Sequence, residues 1–174
     1  MKKALILTSK LVQDHEFIYP FYRLKEAGLN VETCNLSEGI VLGFFGTKIP
    51  PQATDTIVSL KNVNVDDYEI LILPGGVKSM EILRLNKDAI DLIKKFNKSN
   101  KIIAAICSGT MMLISAKILK GKKVTGYYAW KDDIENAGGI FVDEPSVTDG
   151  NLITSPHYKF NGEWMHSVIA KLDS

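Results

Sequence analysis

The sequence predicts a single α/β domain in which a mostly parallel sheet has helices on both faces. Three observations indicate this fold class. Short aliphatic runs that are typical of buried strands alternate along the chain with stretches of helical periodicity. Two of these runs end abruptly, at Pro74-Gly75-Gly76 and at Cys107-Ser108-Gly109. No linker, repeat or low-complexity segment divides the 174 residues, so we expect one domain over residues 1–174.

The N-terminal part of the chain predicts a strand, a helix, a second strand and a hairpin. Residues 3–8 form an aliphatic run that we interpret as a buried strand. Asp14 is the expected cap of the following helix, and Gly28 is its expected end. The buried face of this helix recurs at Phe17, Phe21 and Leu24. Residues 29–34 predict the second strand, and residues 41–49 predict a small hairpin closed by two prolines.

Strands and helices alternate through the rest of the chain. Further strands are predicted at 69–73, 101–106, 123–125, 140–142 and 146–154, the last of which turns back at Asp149-Gly150. Helices are predicted at 88–97, from 107 through 116, at 132–137 and at 161–172. Ligands of such sheets bind beyond the carboxyl ends of the strands, where the strand order changes direction. We therefore expect the region after Thr8, the Gly75-Gly76 turn and the Cys107 turn to meet at one edge.

The composition argues against several classes of partner and location. The formal net charge is +1, from 21 basic and 20 acidic residues, so we expect no nucleic-acid and no membrane-surface partner. The apolar run at residues 4–7 is too short for a signal peptide, and no stretch approaches the ~20 apolar residues of a membrane span. We therefore expect a cytoplasmic protein. Cys34 and Cys107 are its only cysteines, so a disulfide framework is not expected, and we interpret Cys34 as a core residue.

Cys107 has the local sequence of a nucleophile at a strand-to-helix turn. A nucleophile elbow needs small residues two positions before and after the nucleophile, and Ala105 and Gly109 meet that need. A helix that begins just beyond the cysteine favours the thiolate, so we expect a lowered thiol pKa. The alternative is a small buried core cysteine, which is common in proteins. The end of a strand, the small neighbouring residues and the start of a helix together favour the interpretation of Cys107 as a nucleophile.

Three further residues could assist such a thiol. The backbone N–H groups of Gly76 and Ser108 are candidates for holding a developing oxyanion. Glu16 lies in the first turn of the first helix, and burial beside a thiol would raise its pKa and suit it to general acid or base work. Each has a plainer interpretation: Gly-Gly turns commonly end strands, and a glutamate is favourable at any helix N-terminus.

Ordered motifs along nearly the whole chain resemble the ThiJ/PfpI superfamily. They are residues 14–20, 24–28, 71–76, 104–109, 119–125, 135–139, 142–144 and 149–155. The likeness is strongest to the PfpI branch of intracellular proteases and deglycases. It implies a flavodoxin-like three-layer sandwich that assembles as a homodimer or larger homo-oligomer. It also implies a reactive Cys107 with Glu16 as its partner. Members of the superfamily include cysteine peptidases, glutathione-independent glyoxalases, deglycases and stress proteins.

The chain departs from this family at two positions. Many PfpI-type members have histidine directly after the cysteine, where this chain has Ser108, and others have a histidine where this chain has Tyr127. Cleavage of a peptide by a cysteine peptidase requires a histidine that protonates the leaving amine. Conversion of an aldehyde requires only addition of the thiolate and a carboxyl group that moves protons. The leading hypothesis is therefore a Cys107- and Glu16-dependent enzyme that acts on small reactive aldehydes or glycated substrates.

Two rival hypotheses remain open. One is a cysteine peptidase or amidase in which His157 or a neighbouring subunit supplies the base. The other is a redox-responsive or chaperone-like protein that uses oxidation of Cys107. Gly75, Tyr127 and His157 are candidate substrate-binding residues, the alternatives being a strand-ending turn, packing and a loop histidine of ordinary pKa. No spacing of histidine, cysteine and carboxylate resembles a metal site, and no phosphate-cradling loop suggests a flavin, so we expect neither metal nor organic cofactor.

Overall fold

A seven-stranded sheet forms the centre of the structure. A computed structural model describes residues 2–174. The strands of the chain are β1 (Lys3–Thr8), β2 (Asn30–Asn35), β3 (Val41–Leu42), β4 (Lys48–Ile49), β5 (Thr56–Val58), β6 (Ile70–Leu73), β7 (Ile102–Ile106), β8 (Lys123–Val124), β9 (Ile140–Phe141), β10 (Val147–Asp149) and β11 (Leu152–Ser155). The central sheet has the order β10-β11-β7-β6-β1-β2-β5, and only β10 runs antiparallel to its neighbour. Strands β3 and β4 form the predicted small hairpin.

Helices cover both faces of this sheet, which confirms the predicted three-layer sandwich. They are α1 (Asp14–Glu26), α2 (Val77–Leu85), α3 (Lys87–Lys98), α4 (Thr110–Ser115), α5 (Lys131–Asn136) and α6 (Asn161–Leu172). Side chains alternate along a strand. In β1, Leu5 and Leu7 therefore join the core beneath α2, α3, α4 and α5, while Ala4 and Ile6 join the core beneath α1 and α6. None of the helices within residues 2–174 is long and apolar enough to cross a membrane.

The change of strand direction places the candidate site. From β1 the chain first adds β2 and β5 on one side, and then adds β6, β7 and β11 on the other. The parallel core β2-β1-β6-β7-β11 has the flavodoxin-like order, whose crevice lies beyond the carboxyl ends of the strands at the reversal. The segments after β1, β6 and β7 meet there, as expected from the sequence.

One local prediction needs correction, two elements were missed, and one predicted strand lies outside the central sheet. Strand β5 and helix α2 were not predicted from the sequence. The strand around residues 123–125 pairs with β9 in a separate two-stranded sheet. Asp14 does not cap α1: the cap is Gln13, whose side chain accepts the Glu16 N–H at 3.0 Å. The Asp14 carboxylate instead binds the hairpin, because it accepts hydrogen bonds from the N–H groups of Phe45 and Thr47 at 2.7 and 3.0 Å.

Candidate active site

The backbone at Cys107 has the sharp turn of a nucleophile elbow. Cys107 directly follows β7, and its φ of 57° is a left-handed conformation that non-glycine residues adopt rarely. Residues Cys107–Gly109 form a single 3-10 turn before α4 begins. A Cβ atom on Gly109 would lie 2.2 Å from the carbonyl oxygen of Leu73, at the end of the neighbouring strand β6. The turn therefore fits against β6 only with glycine at position 109.

Glu16 reaches the same point from the first turn of α1. Its side chain is fully buried, and its Oε2 accepts the backbone N–H of Gly75 at 2.8 Å. A Cβ atom on Gly75 would lie 2.3 Å from Glu16 Oε2 and 2.9 Å from Cys107 Cβ. The Glu16 carboxyl group and the Cys107 turn therefore approach each other on either side of Gly75, at a position that only glycine can occupy. The other carboxyl oxygen, Oε1, is buried and has no hydrogen-bond partner among the residues that the structure describes.

The protonation of these two groups is set by burial and by each other. Loss of solvent raises the pKa of Glu16 to about 8, against the opposing effect of hydrogen bonding to Cys107 and to the backbone of Gly75. Burial, followed by the negative charge of Glu16, raises the pKa of the Cys107 thiol. The expectation of a lowered thiol pKa is therefore wrong. Helix α4 begins only at Thr110 and has six residues, and the backbone N–H of Ser108 offsets only part of the effect of burial.

A cavity of about 440 Å³ opens over the thiol. Its walls include most of the residues that the sequence singled out: Glu16, Gly76, Cys107, Ser108, Tyr127 and His157. Gly75 is absent from the wall and lies behind it, where its N–H binds the Glu16 carboxyl group. The volume lies within the range of pockets that hold whole small molecules.

The two candidate oxyanion donors border this cavity. Gly76 has a φ of 96°, and a Cβ atom there would lie 2.6 Å from the backbone nitrogen of Gln13. This close approach brings the start of α2 against the segment before α1. The Ser108 N–H acts to lower the pKa of the Cys107 thiol. The Ser108 hydroxyl oxygen is buried and finds no hydrogen-bond partner in residues 2–174.

His157 and Tyr127 belong to a chain of aromatic rings along the mouth of the cavity. The His157 ring lies 4.0 Å from the Tyr158 ring and 6.5 Å from the Tyr127 ring, measured between centroids. Its Nδ1 accepts the N–H of Lys159 at 3.2 Å, so the proton of the neutral ring sits on Nε2. Burial, and then the charge of Lys159, lower the pKa of His157. His157 is therefore neutral at pH 7, with an Nε2–H donor.

Sequence reasoning missed several residues of the cavity wall. They are Leu11, Gln13, Phe44, Val77, Lys78, Glu81 and Tyr158. Leu11 and Gln13 precede the predicted helix start, and Phe44 is one of two aromatic residues at the turn of the predicted hairpin. Two consecutive phenylalanines in a predicted turn were the one indication in the sequence that this segment contributes to the cavity wall. Within residues 2–174 no three histidine, cysteine or acidic residues are grouped as metal ligands would be.

Comparisons with known proteins place the chain among relatives along nearly its whole length. The DJ-1/PfpI family model matches residues 2–171. The chain is 39% identical to Deglycase PH1704 of Pyrococcus horikoshii, over 98% of this chain and 99% of that protein. It is 34% identical to YraA of Bacillus subtilis, described provisionally as a cysteine protease, over 88% of each chain. The crystal structure of Drosophila melanogaster DJ-1beta is similar with a TM-score of 0.88 and 28% identity, over 99% of this chain and 91% of that chain.

Proposed function

The chain belongs to the DJ-1/PfpI family, and we propose that it is a cysteine-dependent enzyme that acts on small reactive aldehydes without glutathione. The model substrate is methylglyoxal, and the product is lactate, formed with the addition of one water molecule. Early adducts of methylglyoxal with amines would enter the same route. The name of the Pyrococcus horikoshii relative, a deglycase, supports this class of reaction.

The observation that supports the proposal most is the meeting of Glu16 and Cys107 at one wall of the cavity. A fully buried carboxyl group with a pKa near 8 exchanges protons readily near neutral pH. The thiol beside it has a raised pKa, so it needs a base in order to react. Glu16 is the titratable group placed to serve it. No organic cofactor is required for this chemistry.

The first step forms a bond between sulfur and the aldehyde carbon. Ionised Glu16 accepts the thiol proton while the Cys107 sulfur adds to the carbon and the aldehyde oxygen gains a negative charge. The N–H groups of Gly76 and Ser108 border the cavity and would stabilise that oxyanion. Protonation of the oxygen by Glu16 then gives a hemithioacetal. Glu16 ends this step ionised, as it began.

The second stage converts the hemithioacetal to a thioester and releases it. Glu16 removes the hydrogen from the former aldehyde carbon and returns it to the adjacent carbon, while the hydroxyl proton moves to the neighbouring oxygen. The two-carbon unit is thereby rearranged without an external oxidant, because one carbon is oxidised as the other is reduced. Water then cleaves the thioester, which frees the 2-hydroxy acid and restores the thiol.

Loss of methylglyoxal without glutathione, with lactate as the measured product, tests the proposal. Cys107→Ser and Glu16→Gln should each abolish turnover, because one removes the nucleophile and the other the base. Cys34→Ala is the matched control, since Cys34 is buried in the core away from the cavity. We expect this control to keep its activity. Turnover that persists in Cys107→Ser would refute the mechanism.

A second candidate function is hydrolysis of peptides or amides. The observation that favours it is the position of His157 on the same cavity wall as Cys107, with a proton on Nε2. Once it has gained a second proton, that ring would pass one to the leaving amine. His157→Gln separates the two functions, because it should abolish peptide cleavage and leave the conversion of methylglyoxal to lactate largely intact.

A further inference from the structure

The hairpin of β3 and β4 supplies one wall of the cavity through Phe44. The Phe44 ring lines the cavity and is nevertheless 66% exposed, so most of its surface is free to contact a ligand. The rings of Tyr127, His157 and Tyr158 line the same cavity, and Leu11 and Val77 complete the apolar part of the wall. The cavity is therefore chemically divided: its floor is polar and reactive, and its rim is aromatic.

The hairpin is held in place by the segment that precedes Glu16. The Phe44 N–H donates to the carbonyl oxygen of Val12 at 2.8 Å. The buried Asp14 carboxylate accepts the N–H groups of Phe45 and Thr47. A Cβ atom on Gly43 would lie 2.4 Å from Asp14 Oδ1, so glycine lets the hairpin close over the carboxylate. These contacts make Phe44 a fixed wall of the cavity rather than part of a free loop.

The size of the cavity exceeds that of a three-carbon aldehyde. Methylglyoxal takes up roughly 150 Å³ if each of its five heavy atoms occupies as much room as a liquid water molecule, whereas phenylglyoxal takes up roughly 300 Å³. The cavity measures about 440 Å³. A methyl group on a substrate bonded to Cys107 therefore leaves the aromatic rim unfilled. A planar apolar group in place of the methyl group would reach the aromatic rim and displace water from it.

We propose that Phe44 is a specificity-determining residue, and that the preferred substrates are 2-oxoaldehydes with an aryl or similarly large apolar group. The proposal rests on the proposed function and names its substrate class. Asp14 acts in it as a positioning residue, because it touches the hairpin and does not line the cavity. An aryl group packed against an aromatic ring gains more than its buried area alone provides.

The test compares kcat/KM for phenylglyoxal and methylglyoxal. Wild type should prefer phenylglyoxal, and Phe44→Ala should lower that preference roughly tenfold, mainly through the KM of phenylglyoxal. Leu42→Ala, at a similarly exposed apolar site on the same hairpin outside the cavity wall, should leave the preference unchanged. Asp14→Asn should lower it in the same direction while Cys107 keeps its rate of alkylation by iodoacetamide. An unchanged preference in Phe44→Ala would overturn the proposal.

A second measurement separates this proposal from the proposed function. If wild type converts neither aldehyde, the proposed function fails. The aromatic wall is then tested with acetophenone, which has the aryl group and no aldehyde. Acetophenone should slow alkylation of Cys107 in wild type and in Leu42→Ala, and much less in Phe44→Ala. Equal protection in all three proteins would refute the role of Phe44 whatever the reaction is.

Discussion

Replacement of Glu16 by glutamine should change how the stability of the protein depends on pH. Burial raises the Glu16 pKa from 4.5 to about 8, so between these values the folded protein keeps a proton that the unfolded chain releases. The free energy of unfolding of wild type therefore falls as pH rises through this window. At 1.36 kcal/mol per pH unit the loss approaches about 5 kcal/mol above pH 8. Glutamine is neutral throughout and can still accept the Gly75 N–H.

The assay is urea unfolding between pH 4.5 and 8.5, followed by tryptophan fluorescence. Glu16→Gln should match wild type at the acid end and exceed it by several kcal/mol at the alkaline end. Cys107→Ser is the control, because it removes the thiol and keeps the buried carboxyl group, so its stability should fall with pH as in wild type. Parallel curves for wild type and Glu16→Gln, with unchanged m-values, would show that Glu16 is ionised in the folded state and would refute the reasoning.

Two more predictions follow from the same geometry. Gly75→Ala should destabilise the fold by about 1–3 kcal/mol and abolish turnover, because its Cβ atom would lie 2.3 Å from Glu16 Oε2 and 2.9 Å from Cys107 Cβ. The matched control in thermal unfolding is Gly162→Ala in α6, which meets nothing within 4 Å and should stabilise slightly; equal effects would contradict the close approach. The kcat/KM for methylglyoxal should rise with pH up to about 8, where the Glu16 base becomes ionised, and a profile that is flat from pH 6 to 9 would exclude that base.

The central strands and the convergence of the site could be predicted because their determinants are local. Aliphatic runs that end at Gly75 and at Cys107 mark β6 and β7, and parallel strands bring their carboxyl ends to one edge. Strand β5 was missed because it pairs only with β2 at the sheet edge and has three largely exposed residues, so its apolar run is only Ile57 and Val58. Helix α2 was not predicted because its N-cap is Gly76, which has no side chain to form a capping hydrogen bond. No capping residue in the sequence therefore marks its start.

The errors in the site came from interactions that no local pattern contains. Asp14 is a residue type that commonly caps helices, but its carboxylate accepts hydrogen bonds from the hairpin some thirty residues later in the chain. The side chain of Gln13 caps the helix instead. The direction of the Cys107 pKa was wrong for a similar reason. A helix start is visible in sequence, whereas the burial of the thiol and the nearness of the Glu16 charge exist only in the folded chain.

The first turn of α1 contacts both the Cys107 turn of the cavity and the hairpin that carries Phe44. Asp14 and Glu16 are two residues apart, so their side chains point in different directions from the helix. One accepts hydrogen bonds from the hairpin, and the other accepts a hydrogen bond from Gly75 beside Cys107. The hairpin turn is exposed and none of its residues is proposed as catalytic, so we expect changes there to alter which substrate fits without altering how it reacts. If the proposed function holds, one reactive pair would serve different substrates, in line with the deglycase and protease names among the relatives.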